Sequence, residues 1–168
     1  MRLSLKILEP EDVTQSYVDW FADDEVVKYS ENQYLEISLA GQIEYVKACQ
    51  ASRDIELFGI FDGPQHIGNI VIKGLLSPHR RAEIGFLVGQ RSYWGKGVGS
   101  FAIAETVQRA KAHHGLRKLY ATVAEPNIGS RMVLERNGFS IEGRRKDHLF
   151  YTKKFFDQLD YGLILVKS

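Results

Sequence analysis

"RSYWGKGVGSFAIAETVQRAK", residues Arg91–Lys111, sets Gly95, Gly97 and Gly99 within five positions and then turns helix-forming. Ordering glycine costs more backbone entropy than ordering any other residue, so such a cluster marks a tight turn or a close approach. "RAEIGFLVG" (Arg81–Gly89) just before it reads as a strand. The residues after it read as a helix from Val98 to His114, stopped by Gly115 as a left-handed cap. A strand, a glycine loop and a helix start together present unpartnered N–H groups and the positive end of a helix dipole, which suits phosphate or pyrophosphate. A bare connection needing positive φ would also use glycines. Two phosphate loops are excluded by pattern. A Walker loop needs G-x-x-x-x-G-K-[ST], and Lys96 lies between glycines instead. A dinucleotide fingerprint G-x-G-x-x-G would place its third glycine where Ser100 stands.

Working outward, "RLSLKIL" (Arg2–Leu8) alternates as a half-buried strand does. Glu11–Asp23 and Ser38–Ala51 read as helices. Ile55–Phe61 and His66–Gly74 read as strands joined at Asp62-Gly63-Pro64, a strong turn signal. Downstream come a strand (Lys118–Ala124), a helix (Asn127–Asn137) closed by Gly138, and two terminal strands, "FSIEGRR" (Phe139–Arg145) and "DYGLILVK" (Asp160–Lys167). This order predicts a mixed α/β (α+β) sheet layered with helices, not a strict βαβα alternation. No repeat or linker interrupts the 168 residues, which read as one domain, 1–168.

A composition of 44% hydrophobic and 26% charged residues is ordinary for a globular chain. Lys+Arg 22 against Asp+Glu 21 leaves +1, which gives no electrostatic case for nucleic acid or an anionic membrane. The short clusters His79-Arg80-Arg81 and Arg144-Arg145-Lys146 read as solvated surface. Cys49 is the single cysteine and reads as a small helix hydrophobe, and no Cys/His spacing suggests a metal. His113 and His114, at the end of their helix, suit its dipole. No apolar run approaches a bilayer span, and the N-terminus meets charge too early for a signal peptide, so a cytoplasmic location is expected.

"WGKGVGS" resembles the acetyl-coenzyme A loop of the GNAT acetyltransferases, [Q/R]-x-x-G-x-[G/A], with Trp94 departing from the usual first residue. "YWGKG" is the form common in the RimJ/RimL-like branch. "NIGSRMVLERNGF" (Asn127–Phe139) resembles that branch's N-x-x-S-x-x-x-x-E-x-x-G-F segment. The resemblance covers essentially the whole chain. It implies an open V-shaped mixed sheet of about seven strands flanked by about four helices. Acetyl-CoA would be the co-substrate, with no metal, held by the amides of Gly95, Lys96, Gly97, Val98, Gly99 and Ser100 beside Trp94. Backbone groups of Phe86, Leu87 and Val88 would pair with the pantetheine arm, with Asn127, Ser130 and Arg131 further along the cofactor. Asn127 follows Pro126 and is equally well placed as an N-cap, and Arg131 has Glu135 as a helical partner.

Acetyl transfer needs a deprotonated amine, a stabilised oxyanion and a departing thiolate. The resemblance points to Glu83 as base. Alternation puts it on one strand face with Gly85 and Leu87, although an ion pair with Arg81 would explain it too. The tyrosine acid of many relatives is replaced here by Leu134, leaving Ser130 as the candidate partner of the thiolate. "YVDWFADDEVVKYSENQ" (Tyr17–Gln33) loosely resembles the opening of small-amine and amino-sugar acetyltransferases, which brings Tyr29 and Glu31 forward as acceptor contacts. Aromatics in "HLFYTKKFF" (His148–Phe156) read mainly as core. The leading expectation is an N-acetyltransferase for a small-molecule amine, such as a nucleotide-linked amino sugar whose diphosphate the arginine pairs would hold. The alternatives are a protein N-terminal acetyltransferase and a non-catalytic coenzyme A-binding module. A homodimer is the assembly expected.

Overall fold

β1 (Leu3–Ile7), β2 (Ile55–Asp62), β3 (Gln65–Lys73), β4 (Arg81–Val88), β5 (Lys118–Ala124), β6 (Ser140–Tyr151) and β7 (Lys154–Ile164) form one sheet in the order β1-β2-β3-β4-β5-β7-β6. The computed structural model describes residues 1–166. Neighbouring strands run antiparallel except β4 and β5, which are parallel and pair only where Arg81–Glu83 meets Lys118–Tyr120. Beyond that point β4 stays paired with β3 as far as Val88, and β5 stays paired with β7 as far as Ala124. The sheet therefore opens into a V whose arms are the C-terminal halves of β4 and β5.

Five α-helices flank it: α1 (Gln15–Asp19), α2 (Asp24–Val27), α3 (Leu39–Ala51), α4 (Val98–His113) and α5 (Ile128–Arg136). The single helix expected over Glu11–Asp23 is broken. Thr14 is extended (φ −108°, ψ 166°) and accepts from the Tyr17 amide, and Asp23 is extended and accepts from the Glu25 amide. Short polar side chains that bond their own backbone compete with helix propagation, so this segment becomes a series of capped single turns. Gly115, at φ +58°, ends the α4 region as read, while His114 leaves the dipole and bonds the Glu56 carboxylate at 3.0 Å.

The sheet buries both faces, and alternation along its strands decides what each face meets. Ile70, Ile72 and Ile84 join Val98, Ala102 and Ile103 of α4 in one core. Leu57, Val71 and Leu87 face the other way, against Tyr17, Val46 and Cys49 of α1 and α3. The terminal hairpin runs further than expected and turns at Thr152 and Lys153, both at positive φ. Its tip carries Phe150 and Phe155 at 49% and 64% exposure, so these aromatics are rim rather than core. Only Lys167 of the expected last strand lies outside the described residues.

Candidate active site

The V holds a cleft of about 1170 Å³, lined on one side by Ile84–Val88 and on the other by Ala121–Ala124. Gly89 donates to Ile67 on β3. By alternation the backbone groups of Phe86 and Val88 therefore turn toward the gap, leaving a strand edge with no neighbouring strand inside the protein. Trp94 explains its departure from the family pattern here, because its indole N–H donates to the Val88 carbonyl at 2.7 Å and braces the loop on β4.

The glycines divide by role. Gly95 and Gly97 adopt φ +73° and +82°, and a Cβ at either would meet nothing within 4 Å. Gly99 is helical, and a Cβ there would sit 3.2 Å from Val133 and 3.3 Å from Phe86, so its smallness serves packing of α4 on α5 and β4. The first backbone bond of α4 runs from Phe101 to Gly97. The amides of Val98, Gly99 and Ser100 thus have no backbone acceptor among the described residues, as expected at a helix start. Ser100 Oγ is buried with no partner. An orphaned hydroxyl beside free amides and a dipole end fits a pyrophosphate.

The side chains of Lys96 and Arg131 lie outside the cleft lining. Lys96 sits over the Tyr93 ring, 5.8 Å from its centroid. Arg131, expected toward a phosphate, instead reaches the Tyr161 hydroxyl at 3.3 Å and the Glu125 carbonyl at 3.0 Å, because its place on α5 faces β7. Arg136, one turn on, lines the cleft and was missed. Asn127 Oδ1 caps α5 by accepting from the Ser130 amide at 3.2 Å. Its amide nitrogen stays available, and both residues line the cleft. Leu134 is fully buried at the site of the missing tyrosine. Glu83 shares its strand face with Gly85 and Leu87, between Lys73 on β3 and Tyr120 on β5. It is not among the residues lining the cleft, although Lys73 and Gly85 on the same face are, and it forms no ion pair among the described residues, Arg81 included.

The far half of the cleft is assembled from distant segments. Tyr29 lines it and packs edge-on against Phe156, ring centroids 6.1 Å apart. Glu31 does not line it. Its carboxylate accepts from the Tyr151 hydroxyl at 2.6 Å and ties the 3-10 turn Glu31–Tyr34 to the terminal hairpin. The Tyr34 hydroxyl adds a bond to the Phe150 carbonyl. Burial pushes the Tyr151 phenol well above its ordinary range, with the Glu31 carboxylate adding to the shift. Three of the four paired arginines are engaged elsewhere. Arg80 donates to the Gly115 carbonyl, Arg144 to Asp157 and Glu125, and Arg145 to Asp160. None of them lines the cleft. Sequence reading missed Tyr17, Gln42 and Asn69, nearly buried polar residues on the far wall. The asparagine amid the apolar run "HIGNIVIKG" was the available signal. Among the described residues no helix is long and apolar enough to cross a membrane.

Residues 2–140 match the family described as Acetyltransferase (GNAT) domain. The "Uncharacterized N-acetyltransferase YoaA" of Bacillus subtilis (strain 168) is 28% identical over 168 residues, covering 97% of this chain and 93% of that protein. The "Putative ribosomal N-acetyltransferase YdaF" of the same organism is 31% identical over 110 residues, 66% of this chain and 59% of that one. Among solved structures, spermidine N-acetyltransferase from Vibrio cholerae in complex with CoA and spermine superposes with TM-score 0.86 at 20% identity, covering 98% and 96% of the two chains. RimL, a ribosomal L7/L12 alpha-N-protein acetyltransferase in complex with coenzyme A, gives 0.85 at 18% identity, covering 98% and 94%. The structural likeness shows a shared fold. The family match spans most of the sequence, and the chain belongs to the GNAT acetyltransferases, with motifs of the RimJ/RimL-like form.

Proposed function

We propose that the protein transfers the acetyl group of acetyl-CoA to the primary amine of a small molecule by direct attack. The observation that carries this is the parting of β4 from β5 beside the unpartnered N-terminus of α4. The cofactor would supply the activated thioester and the thiolate leaving group. The amides of Gly95–Ser100 and the Ser100 hydroxyl would hold its pyrophosphate, and the free edge at Phe86 with the Val88 amide its pantetheine arm. Glu83, directly or through water, takes the proton that an ammonium of pKa near ~10 must lose at neutral pH. Ser130, at the start of α5, gives a hydrogen bond to the departing sulfur. Free-thiol release from acetyl-CoA in the presence of a panel of amines tests this. Binding without release for every amine would leave a coenzyme A-binding module.

A diphosphate on the acceptor loses its support, since none of the arginines invoked for it lines the cleft and Arg80, Arg144 and Arg145 are paired elsewhere. An amino sugar without the nucleotide keeps its place. A second reading, acetylation of a protein N-terminus, is favoured by the apolar rim. Leu35 at the cleft and Tyr34, Phe150 and Phe155 beside it are all exposed, and a peptide following its own N-terminus would rest there. Short peptides with free N-termini belong in the same panel, and efficient turnover of these over small amines would establish the second reading.

A further inference from the structure

Three polar side chains from separate elements meet on the far wall: Tyr17 of α1, Gln42 of α3 and Asn69 of β3, at 2%, 7% and 7% exposure. The Gln42 amide donates to the Tyr17 hydroxyl at 2.7 Å. The orientation of Asn69 is fixed from behind. His66 Nε2 lies 2.9 Å from the Gly68 carbonyl, which only accepts, so Nε2 carries a proton. The Asn69 atom 2.7 Å from that nitrogen is therefore its oxygen. His66 is itself held among the rings of Tyr17, Trp20 and Phe61 at centroid distances of 4.9–5.1 Å. The NH₂ of Asn69 must then point away from His66, beside the Tyr17 hydroxyl.

This leaves a defined set of unmet bonds. Tyr17 accepts from Gln42 and faces one Asn69 proton, so it has its own proton to give, and the Asn69 amide has a second proton to give. Gln42 Oε1 has a lone pair to offer. Neither Gln42 Oε1 nor Asn69 Nδ2 is among the buried atoms lacking a partner, so both are open to the cleft that their residues line. Two donors and one acceptor suit a hydroxyl, which accepts and donates. A carboxylate would face Gln42 Oε1 unpaired, and an ammonium would leave both donors unmet. Charged side chains in this half, Glu25 and Glu36 against Lys28 and Lys73, balance and give a second ammonium no excess of carboxylate.

We infer that Tyr17, Gln42 and Asn69 form a specificity-determining hydroxyl-binding site, so that the acceptor is a primary amine carrying an alcohol group. The inference rests on the proposed acetyl transfer with Glu83 at the amine. Asn69 pairs with Leu87 and Lys73 with Glu83, so the two ends lie four residues apart on one sheet face, about 13 Å at strand rise. A hydrogen bond of ~3 Å at each end leaves on the order of 7 Å between amine nitrogen and hydroxyl oxygen. Such an acceptor would lie over Gly85, which lines the cleft and leaves room where a side chain would otherwise stand.

The test compares 5-amino-1-pentanol with pentylamine, which lacks only the hydroxyl, and with ethanolamine, whose oxygen lies too close to its nitrogen. The wild type should favour aminopentanol over both by about 10-fold or more in kcat/KM, because a pocket built to bond a hydroxyl rejects the analogue without it. Tyr17→Phe keeps the ring packing and should reduce the aminopentanol:pentylamine ratio to within about 3-fold, chiefly through the KM for aminopentanol. Gln42→Leu should act alike, with the acetyl-CoA KM unchanged in both. Thiol release with equal efficiency for aminopentanol and pentylamine overturns the inference and leaves acetyl transfer standing. Variants that slow both amines equally assign the cluster a structural role and also overturn it. No release with any amine removes the acetyl-transfer reading and this inference together.

Discussion

The two halves of the cleft are built on different principles. The cofactor half comes mostly from one run of chain, the end of β4, the glycine loop and the first turn of α4, and it presents backbone groups. The acceptor half is collected from α1, the first turn of α3, the segment around the 3-10 turn Glu31–Tyr34 and β3, with the terminal hairpin tied behind that turn, and it presents side chains. A backbone site demands particular conformations, so it tolerates few residue types. A side-chain site on capped single turns can change residues without changing the fold. On the proposed function, one half is set by the reaction's common substrate, and the other is free to follow the particular amine.

The sharpest way to break this division is at the point where the halves meet. Glu83→Gln keeps shape and removes the base, so turnover at neutral pH should fall by on the order of 10²-fold or more. Calorimetry should show acetyl-CoA affinity unchanged. The deficit should shrink as pH rises, since the free amine then forms without help. A near-normal rate at neutral pH would assign Glu83 to the structure and leave the division without its junction.

The next largest effect belongs to the cofactor half. Valine at Gly97 would mix two causes, because φ +82° strains a β-branched residue whatever it binds. Asparagine tolerates the left-handed region, and its side chain would enter the open space beside the amides. Gly97→Asn should weaken acetyl-CoA by about 10-fold with a melting temperature close to wild type. Unchanged affinity in the folded variant would remove pyrophosphate from the loop. The matching change at Gly99 should instead lower stability, since a Cβ there meets Val133 and Phe86.

The same division explains what could be read from the sequence. The glycine loop, the strands on either side of the parting and the Asn127 cap were visible because each is a local backbone requirement written in adjacent residues. The broken helix over Glu11–Asp23 was not. Thr14 and Asp23 can sit in a helix or cap a new turn, and only packing of the short turns on α3 and β3 decides. The cluster of Tyr17, Gln42 and Asn69 was invisible for a stronger reason. Its members stand 25 and 27 residues apart in the chain, and no periodicity links them. Glu31 and Arg131 were misplaced because sequence shows which charges exist, while the nearest partner in space decides where they point. Tyr151 and Tyr161 supplied those partners from the terminal strands.

Ser130 should give a smaller effect than Gly97, because a serine hydroxyl is a poor acid and a thiolate leaves without much help. Ser130→Ala should lower kcat by about 3- to 10-fold and leave the acetyl-CoA KM within about 2-fold. The Asn127 cap uses the Ser130 backbone amide, so it survives the change. A loss as large as that of Glu83→Gln would make Ser130 an obligatory proton donor and move it into the chemistry proper.

The smallest effect tests whether the acceptor half is held by its ties. Tyr151 is buried on β6, stacks on Tyr34 at 6.1 Å with 23° between planes, and bonds Glu31. Tyr151→Phe keeps the stack and cuts only the bond, which should cost about 1 kcal/mol, the net worth of an ordinary hydrogen bond. That energy holds the turn Glu31–Tyr34, which leads directly into Leu35 and Glu36 at the cleft, against the hairpin. Loosening it should raise the acceptor KM about 2- to 5-fold and leave kcat at saturation and the acetyl-CoA KM within error. The Glu31–Tyr151 bond joins two residues that do not line the cleft, so the cofactor half should not register the change. A parallel rise in the acetyl-CoA KM would mean that the halves share one rigid frame. An unchanged acceptor KM would mean that packing of Tyr29 on Phe156 suffices to hold the turn.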